Sequence, residues 1–165
     1  MSPMWIVIIV VAVVGLLAMV LGARKAKSYT ASSNDIPKLI ERLKAGTDDP
    51  RFAALIFGPG QSDEKPEYEE AVNLQYSVEN GVVGFDWVLL AERNIADKDE
   101  IIKFARRMGL DLKEQVMNDV KYLRVESPKA AELGMKVIRD FYGIDPDKKL
   151  DLVVEGFEWE EEGTN

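Results

Sequence analysis

Of the 165 residues 29 are Asp or Glu, and no His or Cys stands beside them. Carboxylates are therefore the groups with which this chain could move a proton, hold a cation or attract a basic partner. The missing imidazole removes a Ser-His-Asp triad and an imidazole general base. The missing thiol removes a Cys nucleophile, a thiolate zinc site and a disulfide framework. A pair of carboxylates can still run glycosidase-type acid/base chemistry, provided one member sits in an apolar pocket with a raised pKa. Asp86 is the candidate for that member, because it lies beside Trp87 in a segment that reads as a strand. Hydrogen bonding to Gln75 or Asn73 accounts for it equally well, so no residue is assigned a catalytic role.

Cation binding finds little support. A calcium loop needs Asp or Asn at alternate positions, a central Gly and a closing Glu. Asp145-x-Asp147 is too short, and the run from Asn94 through Asp97 and Asp99 to Glu100 lacks the Gly. Both read as turn and cap residues. Gly58-Pro59-Gly60 invites a phosphate-loop reading, but no Gly-Lys-Ser/Thr follows and Pro66 obstructs a helix there. Neither a metal nor a cofactor is expected.

Electrostatic recognition is the remaining use. Residues 1–27 carry Arg24, Lys25 and Lys27 and no acid, so the rest of the chain keeps 18 of the 21 basic residues against all 29 acidic ones, a net of −11. That field repels nucleic acid and steers cationic proteins. The end of the chain, from Glu155 to Glu162, mixes Phe157 and Trp159 with acids. The alternation of the two aromatics suits a core strand.

These groups must be held by a scaffold, and its clearest piece is a hairpin. Ala71–Glu79 and Val82–Leu90 flank Asn80-Gly81, a pair that tolerates the positive φ of a type I′ turn. A two-residue loop sets 79 opposite 82. Val72, Leu74, Tyr76 and Val78 then share a face with Val83, Phe85, Trp87 and Leu89. The opposite face carries Asn73, Gln75, Ser77 and Asp86 around Gly84, whose missing side chain leaves room for a partner to approach. A slip of one residue would destroy this segregation. These five residues are the expected binding surface, on a sheet face open to water. Helices on both faces are the competing reading, which Val82, Val88 and Leu90 would tolerate.

Helical spacing appears three times. Ile36, Leu39, Ile40 and Leu43 follow Asn34-Asp35 and Pro37, and Gly46 ends the run. Ile101, Phe104, Ala105 and Met108 form a second stripe, with Asp97 and Glu100 as a capping box and Arg106-Arg107 suiting the last turn. A third helix follows Ser127-Pro128 and ends at Gly143. Phe52–Phe57, Val120–Glu126 and Leu150–Trp159 read as strands, with Asn118-Asp119 turning a hairpin back to Gln115–Met117. Their order predicts an α+β domain with a mainly antiparallel sheet and helices on one face.

Met4–Leu21 holds 18 residues without a charge, about 27 Å as a helix and long enough, with Gly22 and Ala23, to cross a bilayer. Residues 1–23 are thus expected to be a transmembrane anchor, 24–33 a basic, polar linker and 34–165 the soluble acidic domain. Trp5 suits one interface, and Arg24, Lys25 and Lys27 suit the other. With no Lys or Arg before the span, the positive-inside rule puts the domain in the cytoplasm. The expectation is a single-pass, membrane-tethered, non-catalytic domain that uses residues 4–23 to meet the bilayer and its surface to bind a protein partner. The alternatives are a tethered hydrolase using carboxylates and an immunity-type inhibitor of a basic toxin.

Overall fold

A computed structural model describes residues 26–60, 66 and 68–161. The described strands are β1 (Lys27–Ala31), β2 (Phe52–Phe57), β3 (Val72–Glu79), β4 (Val82–Val88), β5 (Lys113–Met117), β6 (Val120–Val125) and β7 (Leu150–Glu155). They form one seven-stranded sheet in the order β1-β7-β2-β3-β4-β6-β5, antiparallel at every junction. The helices are α1 (Ile36–Ala45), α2 (Glu92–Ala96), α3 (Lys98–Arg107) and α4 (Ala130–Lys136), the last continuing as a π turn over Val137–Phe141. The α+β architecture follows the sequence expectation. The segment expected to span a membrane, with Trp5, Arg24 and Lys25, lies outside the described residues. Among the described residues no helix is long and apolar enough to cross one.

The β3–β4 hairpin has the expected register, with Leu74 opposite Trp87, Tyr76 opposite Phe85 and Glu79 opposite Val82. Asn80 and Gly81 take φ of 50° and 78°, the mirror-image turn geometry that suits the right-handed strand twist. Six of the eight apolar residues of its first face are buried in the main core, and Val78 and Leu89 pack against it, partly exposed. Ile36, Leu39 and Leu43 of α1, Ile101 and Ala105 of α3, and Leu133 of α4 join the same cluster. These helices therefore pack on that face of the sheet, and their apolar stripes point where the periodicity placed them.

Three expectations need correction. Residues 27–31, read as part of a linker, form the edge strand β1 against β7, because Tyr29 and Ala31 add apolar side chains to the helix-covered face. Asp97 does sit before α3 but makes no side-chain cap: its Oδ2 accepts bonds from Arg93 Nε at 2.7 Å and Tyr142 Oη at 2.7 Å. A short additional helix, α2, precedes it. β7 stops at Glu155 rather than running to Trp159, since Gly156 turns the chain with φ of 82°. Trp159 is still buried, and its indole Nε1 donates to Thr30 O at 3.3 Å.

Candidate functional site

Alternation along β3, β4 and β6 places a row of polar groups on the sheet's second face. Gln75 stands opposite Asp86 and Asp86 opposite Arg124, while Ser77 stands opposite Gly84. The five expected surface residues thus share one face. They are not open to water: Asn73, Gln75 and Ser77 are each 3 % exposed and Asp86 1 %.

The gap above Gly84 is filled from within the chain. A Cβ at Gly84 would stand 2.7 Å from Arg124 Nη2 and closer still to Cζ, so the guanidinium takes the space left for a partner. Nη1 of Arg124 donates to Asp86 Oδ1 at 2.8 Å and to Ser77 Oγ at 2.9 Å. Nη2 donates to Val82 O at 3.0 Å, and Nε donates to Glu126 Oε1 at 3.0 Å, with Glu79 Oε2 3.4 Å away. Ser77 Oγ donates in turn to Asp86 Oδ2. Tyr122 Oη closes the rim, 2.9 Å from Glu79 Oε1 and 3.0 Å from Gln115 Oε1. One buried cation therefore serves three carboxylates, which fits the planar, many-donor guanidinium and not a lysine.

Burial pushes the Asp86 carboxyl up to about 7, against the opposing pull of Arg124 and Ser77. Burial also works against the charged form of Arg124, but Asp86, Glu126 and Glu79 outweigh it and hold its pKa above the ordinary value. Tyr122 is raised by burial and then by the neighbouring Glu79. A carboxyl near neutrality next to an aromatic is what acid chemistry requires, yet both Asp86 oxygens are occupied and closed to solvent. The arrangement clamps three strands together.

Asn73 and Gln75 behave differently. The backbone of Asn73 is served by Asn94 of α2, whose Oδ1 accepts from Asn73 N at 3.0 Å and whose Nδ2 donates to Asn73 O at 2.8 Å. The side-chain Nδ2 and Oδ1 of Asn73 and the Oε1 of Gln75 are buried without a hydrogen-bond partner. Such groups carry a desolvation cost of about 1–3 kcal/mol each.

Arg124 and Asn94 are the site residues that sequence reasoning missed. Alternation of Val120, Tyr122 and Arg124 could place Arg124 on one face of its strand, but its opposition to Asp86 depends on the β4–β6 junction. Of the expected membrane-interface residues, Lys27 is described, and it pairs with Glu158. The carboxylates read as turn residues do act so: Asp145 Oδ1 accepts from Asp147 N at 2.8 Å.

A second feature lies at the far end of the sheet. An open cavity of about 550 Å³ is bordered by Asp48, Asp49, Glu155 and Glu158, with Lys27 and Phe157 in its lining. Asp48, Asp49 and Glu158 are exposed.

No protein-family model, curated protein or solved structure matches this chain.

Proposed function

We propose that this chain is a single-pass, membrane-tethered domain without catalytic activity that binds a basic protein at the cytoplasmic face. The tether rests on the 18 apolar residues from Met4 to Leu21, and the orientation on the cations that follow them. The observation that carries the binding half is the acid-bordered cavity beside Phe157, on a domain of strongly negative charge. Exposed carboxylates around a partly apolar floor suit a Lys or Arg side chain, whose alkyl stem packs while its head pairs. Asp86, the carboxylate a hydrolase would use, is held by Arg124 and Ser77, which favours binding over carboxylate catalysis. An immunity-type inhibitor of a basic toxin is one specific form of this reading.

The test uses the full chain in its own membranes, cross-linked, purified and analysed by mass spectrometry. The expected partner is a basic protein whose capture falls steeply with salt and is lost in Asp48→Lys/Asp49→Lys. Capture that ignores both salt and charge reversal overturns the basic-partner reading. Recovery of the chain in the high-speed supernatant, away from membranes, overturns the tether.

A further inference from the structure

The two edges of the sheet are finished differently. At β1 the end of the chain closes the edge: Thr30 N donates to Glu161 Oε1, and Thr30 O accepts from Trp159 Nε1 at 3.3 Å. At the other edge β5 pairs with β6, and among the described residues no strand lies on its far side. β5 also lacks the usual guards of an edge. It contains no Pro, and its ladder runs from Lys113 opposite Arg124 to Met117 opposite Val120 without a bulge. Residues 113–116 are exposed, and Val116, at 60 %, is the most exposed large apolar residue described.

The turn decides which backbone groups face outward. Asn118 and Asp119 have φ of 48° and 66°, a mirror-image two-residue turn, so the flanking Met117 and Val120 exchange both backbone bonds. Alternation then directs the backbone of Lys113, Gln115 and Met117 to β6. It points the N–H and C=O of Glu114 and Val116 outward.

We propose that β5 pairs antiparallel with β5 of a second copy, across a two-fold axis at Gln115, and joins the two sheets into one. With the helices of both copies on one side, the axis must pass between two copies of the same residue. At Lys113 or Glu114 it would oppose two like charges. At Val116 or Met117 it would set strand residues against the turn, where Asn118 and Asp119 have left the extended conformation. At Gln115, Glu114 of each copy faces Val116 of the other, and every outward N–H and C=O of the two residues is bonded. The side chains agree with this register. Lys113 faces Met117, on which its alkyl stem packs. The two Gln115 amides meet on the axis, each oriented by Tyr122 Oη, which donates to Gln115 Oε1 at 3.0 Å. Glu114 is bracketed by Lys98 and Lys121 of its own chain, at 2.6 and 3.6 Å, which offsets the negative charge that resists self-association elsewhere on the domain. The pairing is short, so the dimer belongs among small, transient interfaces and is best read by trapping it.

The chain has no natural Cys, so single cysteines placed in turn at positions 113 to 117 of the full chain, in detergent under mild oxidation, test this register. Gln115→Cys falls on a pair whose Cα atoms stand about 4.5 Å apart, within disulfide reach. Its dimer yield should exceed those of Lys113→Cys and Met117→Cys several-fold. A flat profile, or a maximum at another position, overturns the proposal. Two further substitutions are then combined with Gln115→Cys. Val116→Pro removes an outward N–H without touching the ladder to β6. Val116→Glu faces Lys121 in its own chain but Glu114 in the second copy. Each should bring cross-linking down to the level of the exposed control Ile95→Cys, and Val116→Glu should do so at unchanged melting temperature. Cross-linking that survives either substitution in a folded chain overturns the proposal in favour of a dimer held through another surface.

Discussion

The two faces of the sheet are built on different principles. On the helix-covered face, shape and apolar matching hold the structure, and the buried polar tips of its aromatics are satisfied. Tyr76 Oη donates to Ala130 O at 2.8 Å, and Trp87 Nε1 donates to Asn94 O at 2.9 Å. On the second face, a charged network around Arg124 ties β3, β4 and β6, while a few ångströms along the strand the Asn73 amide and the Oε1 of Gln75 go unpaired. The first face is consistent at every level, as a folding core requires. The second combines a costly buried ion pair with unmet hydrogen bonds, which are the marks of a surface that serves something besides stability.

The contrast is broken most severely by Trp87→Ala. Trp87 is fully buried and lies parallel to Tyr142, ring centroids 6.4 Å apart. Its truncation is expected to cost about 3–5 kcal/mol, read as a shift in urea midpoint at unchanged slope. A change within error would show that the helix-covered face is not the core.

Next in size is Arg124→Met, which leaves Asp86 buried without its cation and should cost about 3 kcal/mol at pH 8. Adding Asp86→Leu should recover most of that loss, because the pair is then removed whole. Asp86 also gives the unsubstituted protein a pH dependence of definite sign. Its folded value of about 7 lies above the ordinary 3.8, so between those values the folded chain keeps a proton that the unfolded chain has released. Stability should fall as pH rises through that window and level off above it. Arg124→Met should extend the decline to higher pH, and Asp86→Asn should remove it. Urea titrations at half-unit intervals decide this; a stability that rises from pH 5 to 7 contradicts it.

Gly84→Ala is a smaller disturbance of the same network. The new methyl must push the Arg124 guanidinium out of its seat, at about 1–3 kcal/mol. Combined with Arg124→Met, the glycine substitution should become nearly neutral. Additive losses in that double-mutant cycle would mean that Gly84 is needed for some other reason.

The smallest effect sharpens the comparison by its sign. Asn73→Val removes two unpaired buried polar atoms and inserts a good strand former, so it should stabilise the chain by about 1 kcal/mol. On the helix-covered face a change of the opposite polarity, Val72→Asn, should destabilise. If Asn73→Val destabilises instead, its amide has a partner.

Much of this architecture was legible because it is local. The stripes of α1 and α3 repeat within ten residues, and buried Ile36, Leu39, Ile40 and Leu43 are the four that the spacing singled out. The cap of α3 was misread because Asp97 Oδ2 prefers Arg93 and Tyr142, and Tyr142 arrives from far along the chain. β1 was missed for a related reason. Residues 27–31 are polar enough to read as linker, and only pairing with β7, more than a hundred residues later, makes a strand of them.

The candidate site divides in the same way. Asn80-Gly81 and the alternation on either side set the register of β3 against β4, so the sharing of one face by Asn73, Gln75, Ser77, Gly84 and Asp86 is a property of twenty consecutive residues. What that face does was decided elsewhere. Arg124 is 38 residues from Asp86, with α2, α3 and β5 between them, and it meets Asp86 only because β6 pairs with β4. Local sequence sets which side chains point the same way, since strand alternation and turn geometry act over a few residues. Which distant charge reaches them depends on the order of strands in the sheet. That order follows from burial summed over the whole chain, and no short stretch of residues contains it.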